Sequence, residues 1–64
     1  MKWMDVREIA IDLEENFPDK EILSLRFTEL KHMILTLDRF KDDPVRSNEK
    51  TLEAIQMAWL DERT

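Results

Sequence analysis

Sixty-four residues hold no glycine, no cysteine and one histidine, with ten Lys and Arg against fifteen Asp and Glu for a net charge of −5; this is one small acidic domain with no disulfide, no thiolate metal site and no glycine-rich phosphate loop. A domain of this size is held by only about 3–10 kcal/mol, which suits work at a surface better than a deep, strained active site; with no set of residues arranged for catalysis, the chain is not expected to be an enzyme. The acidic balance repels phosphate backbones and suits a basic protein or a hard cation, and no apolar run approaches the roughly 18 residues of a membrane span, so a cytoplasmic monomer with no nucleic-acid or membrane partner is expected.

In chain order, the first helix is predicted over residues 6–16. Val6, Ile9, Ala10, Leu13 and Phe17 recur at helical spacing and form one apolar stripe. Asp5 stands at the N-cap position with Glu8 as its capping-box partner, and Pro18 bars further helix. Residues 19–27 form a connector. Its end, Leu23-Ser24-Leu25-Arg26-Phe27, alternates apolar with polar and predicts a short strand that pairs with Lys2-Trp3-Met4. A second helix is predicted over residues 29–37, capped by Thr28, with Leu30, Met33, Ile34 and Leu37 as its buried stripe and Leu35 off that face. A charged loop follows, residues 38–44, in which Phe40 reads as a plug into the core. The third helix starts near Ser47 or Asn48 and runs to Glu62, with Leu52, Ile55, Ala58 and Trp59 on one face. Met57 and Leu60 extend its apolar surface past half the circumference, so it is either central in the fold or covered by a partner.

Three helices with a short strand before the second suggest a mainly α, helix-turn-helix or winged-helix-like domain with at most a two-stranded sheet. That architecture often binds DNA. Here the third helix carries Glu49, Glu53, Asp61 and Glu62, which groove binding would place against phosphates. The stronger candidate site is the first helix, where Asp5, Glu8, Asp12 and Glu15 follow spacings that stack them in one line opposite the apolar stripe. Read blandly, the line is a solvated face; read functionally, it docks a basic partner. The second candidate is Asp38, Asp42 and Asp43 in the loop, with Asp61 and Glu62 at the end of the chain. Carboxylates of this kind suit calcium, magnesium, manganese or ferrous iron, although no calcium-loop spacing is present. His32 reads as a surface residue, Trp3 and Trp59 as core, and Arg26 as the structural partner of a carboxylate.

Six stretches occur in register along the chain: Lys2-Trp3-Met4-Asp5 with Arg7-Glu8-Ile9; Phe17-Pro18-Asp19; Arg26-Phe27-Thr28-Glu29-Leu30; Phe40-Lys41-Asp42-Asp43-Pro44; Ser47-Asn48-Glu49-Lys50; and Leu52-Glu53-Ala54-Ile55-Gln56-Met57-Ala58-Trp59-Leu60-Asp61-Glu62. Together they resemble the IscX family of small acidic proteins of bacterial iron–sulphur cluster assembly. The resemblance implies a modified winged-helix fold and no DNA binding. It implies docking of the acidic surface on a basic patch of the cysteine desulfurase, a patch that frataxin also uses. It also implies weak binding of ferrous iron by exposed carboxylates, with no tightly bound cofactor, and a role as adaptor, regulator or iron donor. Asp5, Glu8, Asp12, Glu15, Asp61 and Glu62 are the expected docking residues, and Asp38, Asp42 and Asp43 the expected iron ligands. The alternative is a stand-alone ferrous-iron-binding protein with no obligatory desulfurase partner. Against the family pattern, Lys41 replaces the first acid of the loop, Arg39 stands where an acid is common, Glu21-Ile22 replaces an Asp-Pro, and Met33 replaces a tryptophan.

Overall fold

Each of the three apolar stripes becomes an α-helix: α1 (Val6–Asn16), α2 (Phe27–Leu35) and α3 (Glu49–Arg63), with a single 3-10 turn at Pro44–Arg46 before the last. The computed structural model describes all 64 residues, and the fold is mainly α, with no β-strand. α1 has the predicted bounds because its stripe ends where Pro18 begins. The Phe17 N–H closes the last turn on the Leu13 carbonyl at 2.8 Å. α3 packs chiefly on α1. It buries Leu52, Ile55 and Trp59 and leaves Met57 55% exposed, while Leu60 is half-buried against the core. The third helix is therefore central: Leu60 is covered from within, whereas Met57 stays on the surface.

Fourteen apolar residues form one cluster, and five of them come from outside the helices: Trp3, Ile22, Leu25, Leu37 and Phe40. Full burial of a large side chain stabilises by roughly 1.5–3 kcal/mol, so these plugs order the segments that carry them. Trp3 and Phe40 meet edge to face with ring centroids 4.6 Å apart. Trp59 is fully buried and Phe40 6% exposed, both as expected.

Four local expectations are corrected. No strand forms over residues 23–27, because Ile22 and Leu25 turn inward together while Leu23 is left 74% exposed. The N-terminal segment meets the loop after α2 instead, where the Lys41 N–H donates to the Met1 carbonyl at 2.8 Å. α2 starts and ends two residues earlier than predicted. Arg26, not Thr28, holds its N-cap position, with no side-chain cap bond. At the other end the Thr36 hydroxyl donates to the Met33 carbonyl at 2.6 Å, a local bond that competes with helix continuation. The capping box of Asp5 and Glu8 is not formed. The Asp5 carboxylate accepts the Lys2 main-chain N–H at 2.8 Å, and Glu8 reaches toward Arg39. Arg26 is exposed and joins no carboxylate; Lys20 pairs with Glu29 across the connector at 2.9 Å.

Candidate functional site

Helical spacing puts Glu8, Asp12 and Glu15 on one side of α1 as expected, but they are not equivalent. Glu8 and Glu15 are exposed, whereas the Asp12 side chain is only 8% exposed and lies 3.3 Å from the Arg39 guanidinium. The same guanidinium is 3.7 Å from Glu8. Arg39 lies between Leu37 and Phe40, both anchored in the core, and this brings its backbone close enough for the exposed side chain to reach across to α1. Asp38 and Glu15 line the shallow hollow around Arg39, together with Asp12, Asn16 and Thr36. Glu8, Asp12, Glu15 and Asp38 are thus gathered around one cation, and the surroundings remain acidic. Asp5, one turn earlier, is exposed and holds the turn that leads into α1.

The loop carboxylates do not stay together. Asp38 joins the α1 face, while Asp42 and Asp43 form the seat of Trp3. Asp42 Oδ2 accepts the Trp3 main-chain N–H at 3.1 Å, and its Oδ1 accepts the Asp43 N–H at 2.7 Å. The Trp3 indole N–H donates to the Asp43 carbonyl at 2.8 Å, and the Asp43 carboxylate caps the 3-10 turn through the Val45 N–H at 3.0 Å. The Trp3 N–H above all, then the Asp43 N–H, hold the Asp42 carboxyl below its ordinary pKa of 3.8; Arg46 and Lys2 add their charges. No three His, Asp or Glu side chains converge in the geometry of an ion site, and His32 is exposed on α2.

At the C-terminal end Asp61 is exposed, whereas Glu62 accepts from Arg7 at 3.1 Å. Arg7 lies about 100° round α1 from Glu8, so this pair sits on another flank of the helix from the hollow around Arg39. Two groups escaped the sequence reading. One is Arg39 as the bridge to Glu8 and Asp12, contacts across roughly thirty residues that no local spacing signals. The other is Glu14, which accepts from Trp59 Nε1 at 2.9 Å and from Arg63 Nε at 3.0 Å.

The residues matched by the family model for iron–sulphur cluster assembly are 1–64. An uncharacterized protein of Pseudomonas aeruginosa is 49% identical over 63 residues, covering 98% of this chain and 96% of that protein. The six in-register stretches thus lie within a match that spans the whole chain, and the chain belongs to the IscX family of iron–sulphur cluster assembly proteins.

Proposed function

We propose that the chain is a non-catalytic accessory protein of iron–sulphur assembly that docks on a basic surface of the cysteine desulfurase. Support comes from the exposed carboxylates Glu8, Glu15 and Asp38 around the Arg39 hollow, with Asp5 exposed one turn earlier; Asp61 is exposed at the far end of α3 and lies outside this cluster. Asp12 acts indirectly in this reading, because it is buried and paired; it holds Arg39 in place. Such a face speeds encounter with a basic partner, and its effect fades as salt screens it. Titration of the labelled chain with the desulfurase is the test. The E8K/E15K double variant should weaken binding about tenfold or more at low salt. Both side chains are on the surface, so the fold should be kept, with loss of the exposed Glu8–Arg39 pair costing at most about 1 kcal/mol. An unchanged affinity would overturn the assignment.

Weak ferrous-iron binding belongs to the same proposal. Asp38 beside Glu15 is the loop carboxylate without a main-chain N–H donor, unlike Asp42 and Asp43. The stand-alone iron-binding alternative predicts saturable iron uptake that the desulfurase leaves unchanged, with the carboxylate resonances moved by iron and not by the enzyme.

A further inference from the structure

A second surface, sharing no residue with the hollow around Arg39, carries the opposite charge. The N-terminal segment, the 3-10 turn and the start of α3 enclose an open cleft of about 570 Å³. Lys2, Arg46 and Lys50 line it, and Asp42 is its one carboxylate. Both oxygens of Asp42 already accept main-chain N–H groups, and Arg46 approaches it no nearer than 4.0 Å. The side chains of Lys2 and Lys50 join no ion pair. The cleft therefore keeps a positive charge in a chain whose net charge is −5. Its apolar lining is Trp3, Val6, Ala54 and Met4, the last 92% exposed.

We propose that this cleft is a docking groove for a short acidic peptide segment of a partner protein, one that carries an apolar side chain between carboxylates. The cations match the carboxylates, and Met4 with Val6 and Ala54 matches the apolar side chain. Glu49 and Glu53 occupy the next stripe of α3 and are exposed. They repel a phosphate backbone that would have to run on past the cleft, whereas a short peptide ends within it and places its own carboxylates only beside Lys2, Arg46 and Lys50. With acids around Arg39 and cations here, one small domain offers two docking surfaces of opposite sign and can hold two partners at once. The groove goes beyond the desulfurase proposal and does not depend on it.

The test is an NMR titration of the full chain, ¹⁵N-labelled, with the blocked hexapeptide acetyl-DLEDLE-amide at low and high salt. The basic peptide acetyl-KLKKLK-amide and inorganic phosphate serve as controls. Saturable, salt-sensitive shifts at Lys2, the Trp3 indole, Met4, Lys50 and Ala54 are expected with the acidic peptide alone. The K2E/K50E variant should lose at least about tenfold in affinity, with its thermal midpoint kept, since both side chains are on the surface. No shifts at the groove at low salt would overturn the proposal. Equal shifts with phosphate would also overturn it, as would full binding by the variant.

Discussion

Arg63 joins three parts of the chain with one guanidinium. Its Nε and Nη2 lie 3.0 Å from Glu14, its Nη2 donates to the Phe17 carbonyl at 3.1 Å, and its Nη1 donates to the Lys20 carbonyl. It also lies 5.6 Å from the centre of the Trp59 ring. Charge-assisted bonds of this kind contribute more than neutral ones, and the side chain is 30% exposed. Arg63→Ala should therefore lower the unfolding free energy by about 2 kcal/mol. Urea denaturation reads this directly, and a loss below about 0.5 kcal/mol would place Arg63 among ordinary surface ion pairs. Asp42 is the residue through which acid should act. Its folded pKa lies below 3.8, so the stability it contributes is complete above the unfolded value and is lost as pH falls through the lower, folded one. Thermal midpoints of the wild type should fall as pH drops below about 4, and D42N should be less stable at pH 7 yet less sensitive to that drop. Parallel pH profiles for the two proteins would remove Asp42 from the account.

At the scale of the element, caps distinguish the helices that their own sequence starts from those that the core starts. Asn48 Oδ1 accepts the Thr51 N–H at 2.9 Å and fixes the first turn of α3. Asn48→Ala should cost about 1 kcal/mol, measured by denaturation, with the helix otherwise kept; no measurable change would assign the start of α3 to packing alone. α1 and α2 lack such a side-chain cap. Asp5 bonds backward to Lys2, and Arg26 supplies no acceptor, so these helices begin where Val6 and Phe27 first meet the core. The bounds of α1 were legible because a regular stripe and a following proline mark them. Those of α2 were not, because Thr28 is the natural cap by composition and points to a start at Glu29, whereas Phe27, packed against the core, already belongs to the helix. Residues 23–27 show the same limit. A short alternation of apolar and polar residues is compatible with a strand or with an irregular turn that plugs the core, and it took Ile22 beside Leu25 to decide for the turn.

Over the whole molecule, 28 × 20 × 16 Å in extent, two patches of opposite sign lie on different parts of the surface. Acids surround Arg39 on α1, and cations surround the cleft at the start of α3. The expected docking line of Asp5, Glu8, Asp12 and Glu15 was legible as a row of like charges. That its third member is buried was not, since Arg39 arrives from across the fold. The expected trio Asp38, Asp42 and Asp43 was legible as a cluster in sequence, yet its members sit at two different places. The sequence by itself determined the helical class, the three apolar stripes, the burial of Trp3, Phe40 and Trp59, and the family. These depend on periodicity and on residue identity, both of which are local. Only the tertiary structure decided which carboxylates are free, which serve as seats for Trp3 or Trp59, and where the unpaired cations gather. Those outcomes depend on side chains brought together across tens of residues, and spacing along the chain carries no record of such distances.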